Sequence, residues 1–169
     1  MVGGGLVLAC FLALHPIAAS LVGAVGCVVL VAVTVTDLER RIVPNRIVVP
    51  ALAAALVART ALDPSPRWVL AAFGVGSILF LAAVVFPAGM GMGDVKLTAF
   101  LGGWLGWQAL TALMLGLLAS FVPALGILVV RGRAARKVGL PFAPFLALGG
   151  IVALFVGPEI VDWYRSLGH

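Results

Sequence analysis

The sequence is a succession of long apolar runs separated only by short polar or glycine-rich breaks, and any fold must bury or dissolve those runs. Met1 to Thr36 contains no Asp, Glu, Lys or Arg. A break at His15-Pro16 divides it into a short segment at about 3–15 and a full span at about 18–36. Further apolar runs cover about 47–62, 68–86, 97–130 and 141–156. A membrane-crossing helix needs roughly 20 mostly apolar residues. The 34-residue run at 97–130 is long enough to cross twice, with a turn near Gly106-Trp107-Gln108. Hydrophobic residues make up 63% of the 169, charged residues only 10%, and mean hydropathy is +1.24. That leaves too little polar surface for a soluble domain. The expected fold is all-α: one integral domain over 1–169, a polytopic transmembrane bundle of about six spans plus a short N-terminal apolar segment. The lipid bilayer is therefore its first partner.

Charge placement supplies an orientation. The polar stretch Asp37–Arg46, the glycine-rich stretch Phe86–Lys96 and the basic stretch Arg131–Lys137 fall on one side if every run crosses once and 97–130 crosses twice. They hold eight of the eleven basic residues: Arg40, Arg41, Arg46, Lys96, Arg131, Arg133, Arg136 and Lys137. Arg59, Arg67 and Arg165 lie on the other side. Basic loops stay inside the cell, so the first side is expected to be cytoplasmic and the membrane the cell's inner membrane. The net charge of +5 is thereby accounted for without nucleic acid. The N-terminus has no basic residue before Ser20 and is read as retained, not as a cleaved signal. Cys10 and Cys27 lie within apolar segments, form no CxxC pair, and are read as packing residues. Glycines within the runs, such as Gly74, Gly76, Gly102 and Gly106, are read as sites of close helix approach.

Chemistry has few places to reside, because the chain has only six acids. Asp37 closes one apolar span and Asp94 opens another, both on the expected cytoplasmic side. An acid at a membrane boundary costs free energy and is a functional candidate by default. Asp94 stands in Gly91-Met92-Gly93-Asp94-Val95-Lys96, where the glycines permit positive φ, close approach of backbone to a substrate, or tight helix packing. Asp94 can also be read as a plain N-cap for the helix that follows. Asp37 stands in a stretch that runs to Val43-Pro44-Asn45, where Pro44-Asn45 signals a turn before the next helix. Glu39 is the rival acid, two residues further from the apolar span. Arg40, Arg41 and Arg46 are read as anchors at an anionic surface. Pro141 and Pro144 shape the start of the last span.

Three motifs in this order resemble those of the type IV prepilin peptidases, of the GxGD class of membrane aspartyl proteases. They are Asp37…Val43-Pro44-Asn45, Gly91-Met92-Gly93-Asp94, and Leu140-Pro141-Phe142-Ala143-Pro144-Phe145-Leu146. Val43 stands where Ile is usual and Ala143 where Gly is usual. The resemblance covers roughly Val33 to Gly150. It implies Asp37 and Asp94 as a catalytic pair. Gly91, Gly93, Pro44, Asn45, Lys96, Pro141 and Pro144 would shape the site or bind substrate. The substrate it implies is a prepilin-like protein whose basic leader is cut from a hydrophobic helix. Two carboxyls in one site share a proton, so one can activate water while the other protonates the scissile carbonyl. That chemistry calls for no metal and no other cofactor. Long members carry a cytosolic segment with paired CxxC motifs linked to N-methylation. No such motif occurs in this sequence, which resembles the short forms, so methyl transfer is not expected of it. Two readings compete: a small proton-coupled transporter or channel, with its acids near the bilayer midplane, and a membrane scaffold without chemistry.

Overall fold

The computed structural model describes residues 2–13, 17–85, 91–131 and 141–166. The described residues form helices joined by short connections. They are α1 (Val2–Ala13), α2 (Ile17–Arg40), α3 (Asn45–Leu62), α4 (Arg67–Val85), α5 (Met92–Leu105), α6 (Ala109–Arg131) and α7 (Ala143–Ser166). A 3₁₀ turn over Gly106–Gln108 links α5 to α6. Four continuous helical stretches are long and apolar enough to cross a membrane: Ile17–Arg40, Asn45–Leu62, Arg67–Val85 and Met92–Val130. Val2–Leu12 and Ala143–Gly157 are shorter apolar stretches. The chain is an all-α polytopic membrane bundle. Its large exposed side chains, such as Phe73, Leu81 and Phe121, are apolar because their solvent is lipid.

The 39-residue stretch Met92–Val130 reverses direction at Gly106. Gly106 caps α5 with φ 65° and ψ −142°, a conformation that a β-carbon would strain. Packing on either side establishes the reversal. Gly76 of α4 meets Ala99 of α5, and Gly102 of α5 meets Ala71 and Ala72 of α4, so α4 and α5 are antiparallel. Gly116 of α6 meets Leu146 of α7, and Gly149 of α7 meets Ala112 of α6, so that pair is antiparallel too. The first residues of α5 and α7 lie at the same end of the bundle, as Asp94 and Ala143 below demonstrate. The chain therefore leaves that end in α5 and returns to it in α6.

Most apolar runs fall where expected, with four adjustments at their ends. α2 continues through Arg40, past the expected limit at Thr36. α3 begins at Asn45, because Pro44 serves as its N-cap residue and its carbonyl accepts from the amides of Ile47 and Val48 at 3.0 and 3.1 Å. α5 begins at Met92, so part of the expected glycine-rich loop is helix. α7 runs on to Ser166, past the expected end of the last apolar run at about 156. His15-Pro16, Phe86–Met90 and the basic residues Arg133, Arg136 and Lys137 lie outside the described residues.

Glycine and aromatic contacts set the core. Trp104, fully buried, lays its ring on Gly26 of α2 and donates its indole N–H to the Val22 carbonyl at 3.0 Å. Phe100 stacks on it at 5.7 Å between centroids. Cys10 and Cys27 are buried as free thiols, with sulfurs 3.9 Å apart between α1 and α2. At the end opposite α5's first turn, Arg59 donates to the Trp104 carbonyl at 2.8 Å and lies over the Trp68 ring at 5.1 Å. Asp63 and Arg67 pair beside it in the α3–α4 turn.

A β-carbon on Gly102 would fall 2.7 Å from the Ala72 Cα, whereas one on Gly126 meets nothing within 4 Å. Gly102→Ala is therefore expected to destabilise the bundle by about 1–3 kcal/mol by forcing α5 off α4. Gly126→Ala should leave stability unchanged or slightly raised. Denaturant titration in detergent micelles checks both, and equal stability of the two variants would contradict the α4–α5 contact.

Candidate active site

Asp37 sits on an apolar helix, and the way α2 ends explains how. The helix carries one further turn beyond its apolar run and stops at Arg41, whose amide donates to the Asp37 carbonyl at 2.8 Å. Arg41 has φ 53°, the left-handed conformation that commonly terminates helices, here without glycine. That costs about 1–2 kcal/mol for a residue with a β-carbon. It also brings the guanidinium into electrostatic reach of the Asp37 carboxylate. Asp37 is only 6% exposed and accepts a hydrogen bond from the backbone amide of Ala143, the first residue of α7. Glu39 and Arg40 point outward and are exposed. Of the two acids at this helix end, Asp37 is the one inside the bundle.

Asp94 occupies the first turn of α5 and is not its N-cap, which is Gly91. The Asp94 amide donates to the Gly91 carbonyl at 3.1 Å, and the Gly91 amide donates back to the Asp94 carboxylate. Of the roles open to these glycines, positive φ is not the one used. Gly91 is extended at φ −84° and ψ 146°, and among the described residues only Gly106 and Arg41 have positive φ. Gly93 has a different reason to be glycine. A β-carbon on it would lie 2.7 Å from Cβ of Val43, which the α2–α3 connection presses onto the first turn of α5. The close approach is between two parts of this chain.

Asp37 and Asp94 line one cavity of about 290 Å³ together with Arg41, Asn45, Gly93 and Lys96. The two carboxyls are near enough for Asp37 to act electrostatically on Asp94. Lys96 donates to the Asn45 side-chain oxygen at 2.8 Å, tying the first turn of α5 to the first turn of α3. Thr98, one turn beyond Asp94 and fully buried, returns its hydroxyl to the Asp94 carbonyl at 2.8 Å. Pro141 precedes α7 and Pro144 lies in its first turn, where the Phe142 carbonyl accepts from the amides of Phe145 and Leu146 at 3.1 Å each. These prolines are not in the cavity lining; they shape the helix start that delivers the Ala143 amide to Asp37. Among the described residues no three His, Cys, Asp or Glu side chains converge, and none is assigned to a metal.

The arrangement is thus a pair of acids, each held by a backbone amide, in a cavity that also receives two cationic side chains. A sequence model described as the type IV leader peptidase family matches residues 24–130, which contain both acids. The chain belongs to this family. It is 36% identical over 146 residues to the prepilin leader peptidase/N-methyltransferase of Aeromonas salmonicida (strain A449), covering 82% of this chain and 50% of that protein. The protein of the same description from Bacillus subtilis (strain 168) is 36% identical over 146 residues, covering 82% of this chain and 56% of its own length. The one from Legionella pneumophila is 31% identical over 147 residues, with 80% and 50% covered. The chain spans about half the length of these curated relatives. No solved structure matches it significantly.

Three contributors to this cavity escape sequence reasoning. Arg41 reads as a surface anchor and is exposed, yet it also lines the cavity, and nothing in the residue type marks a left-handed arginine. Val43 reads as a conservative replacement, yet it is the counterpart of Gly93. The Ala143 amide is backbone and has no residue-type signal, although its place inside the third motif marks the segment.

The shared cavity makes a direct test. In a background of Cys10→Ala and Cys27→Ala, the double variant Asp37→Cys, Asp94→Cys should be bridged by a short bifunctional thiol reagent. A protease site inserted in the exposed Asp63–Pro66 turn reads this out, because bridged halves stay together after cleavage. Halves that separate would contradict the shared cavity.

Proposed function

We propose that this protein is a membrane-embedded aspartic endopeptidase that cleaves the basic leader from prepilin-like precursors, with Asp37 and Asp94 as its catalytic pair. The observation that carries this reading is the meeting of the two acids in one cavity of a leader-peptidase family member. The names of the relatives support the choice of substrate. The site end of the bundle faces the cytoplasm of the cell's inner membrane, which the distribution of basic residues supports.

The chemistry follows from the pair. Two neighbouring carboxyls cannot both ionise cheaply, so the site holds one proton between them. The ionised partner removes a proton from a water molecule in the cavity as that water attacks the scissile carbonyl. The protonated partner donates to the carbonyl oxygen, and a proton then passes to the leaving amine. The amides of Ala143 and Gly91 steady the carboxylates without adding a titratable group. Arg41 and Lys96 add positive charge where the tetrahedral oxyanion develops. Gly93 lets the Val43 loop close on α5, and Pro44, Asn45, Pro141 and Pro144 hold the segments that bring the two acids together. No part of this sequence of steps requires a cofactor.

A transporter would place its acids for passage through the bilayer. Here the acids adjoin helix ends and the charged α2–α3 connection, an arrangement that favours the peptidase.

Asp37→Asn and Asp94→Asn should each reduce cleavage of a co-expressed prepilin by a factor of about 10² to 10⁴ or more, with membrane insertion unchanged. Glu39→Gln should cleave at close to the rate of the unmodified protein. Immunoblotting of leader removal over time measures all three, and full cleavage by either Asp variant would remove that residue from the pair.

A further inference from the structure

A second, apolar cavity of about 190 Å³ lies between α2 and α3 and is floored by α5. Val25 and Val29 of α2 form one wall, and Ala51, Ala54 and Ala58 of α3 the other. Trp104 is the floor, and its indole N–H is already bonded to the Val22 carbonyl, so it presents an apolar face. The mouth opens outward, where Val25 and Ala54 are exposed. We propose that this cleft seats the apolar helix of the substrate, taking its bulky side chains against the alanine wall. The proposal rests on the peptidase reading above.

Three considerations single out this occupant. First, the same three helices wall both cavities: α2 carries Asp37, α3 begins at Asn45, and α5 carries Asp94. The cleft is the lower part of the seam whose upper part holds the acids. At the level between the two, Val33 of α2 and Val48 of α3 are fully buried, whereas the cleft opens beside the exposed Val25 and Ala54, on the face that meets lipid. Second, the chemistry suits a helix within a membrane. There, association depends on close packing, which small residues on one partner and large ones on the other provide. Third, the levels fit. Val29 and Val22 precede Asp37 by eight and fifteen residues on one helix. At 1.5 Å per residue those distances are about 12 and 22 Å. A substrate helix that starts at the acids and descends beside α3 would set its residues about 8 to 15 past the cut against the cleft.

That register is the test. Ala54→Cys is placed in a variant carrying Cys10→Ala, Cys27→Ala and Asp94→Asn, which retains uncut precursor. It is paired with prepilin precursors bearing single cysteines at successive positions after the cut. Disulfide crosslinking in membranes should peak about 8 to 15 residues past the cut, with helical periodicity. In the otherwise unmodified enzyme, Ala54→Trp should raise KM for the full precursor at least fivefold with kcat little changed. Its cleavage of a short peptide that ends a few residues past the cut should be unaltered. Crosslinks to a second copy of the enzyme with none to precursor, transfer of label only from lipid probes, or an unchanged KM would each overturn the assignment. Failure of the unmodified enzyme to cut the precursor would instead remove the reaction, and this proposal with it.

Discussion

The reversal at Gly106 governs whether a site can exist. α5 leaves the site end with Asp94 in its first turn, and α7 must begin at that same end for the Ala143 amide to reach Asp37. Only a return crossing by α6 allows both. The return needs a tight turn between two apolar helices, and the positive φ of Gly106 together with the 3₁₀ turn after it provides one. Trp68 packs near Gly106 on one side, and Trp107 approaches Gly74. The turn is therefore gripped by α4 as well as permitted by glycine. A continuous helix through Met92–Val130 would have the composition of a membrane span and would leave Asp37 without its amide.

The opposite end of the bundle is fastened through Arg59 and Trp104. α5 stops at Leu105; the Gly102 carbonyl accepts from the Gly106 amide, and the carbonyls that follow need partners from outside the helix. Arg59 of α3 donates to one of them, at Trp104, while its guanidinium lies over Trp68 of α4. Trp104 in turn reaches α2 through the Val22 carbonyl. Four helices are thereby joined at one level by charge-assisted and indole hydrogen bonds, which are strong where water is scarce. At the site end the joining contacts are lighter: the Lys96–Asn45 hydrogen bond and the seating of Val43 on Gly93. The bundle is braced at one end, and at the other it holds its acids through short connections.

Hydropathy and the positions of glycine and proline made the helices, their order, the return at Gly106 and the two acids legible before any coordinates, because lipid leaves the backbone so few options. What they could not supply was set by contacts between distant segments. Asp94 reads as a functional acid or as a plain N-cap, and the start of α5 at Met92, with Gly91 as its N-cap and Val43 resting on Gly93, puts it in the first turn instead. The extension of α2 to Arg40 runs against its hydropathy, and it is what draws Asp37 inward while Glu39 stays exposed. The left-handed Arg41 runs against its residue type. Each departure lies within a few residues of an acid, as expected where local preference yields to the needs of a site.

Charge in the cavity bears on how a positively charged leader could be processed by a site flanked with arginines. With one proton shared by the acids of the proposed pair, the dyad carries a single negative charge against the two positive charges of Arg41 and Lys96. The cavity as a whole would then offer a basic peptide no attraction, and on the proposed function holding the leader would fall to the anionic membrane surface around it. On the proposed mechanism the same balance would help the reaction: net positive charge beside the two acids favours an oxyanion formed as water adds to the carbonyl. It also makes the carboxylate easier to keep ionised in an apolar bundle, where an unpaired charge would be expensive. Cations that would repel the leader are, on this reading, placed for the bond that is broken. Substrate affinity would then come chiefly from the apolar helix and from lipid.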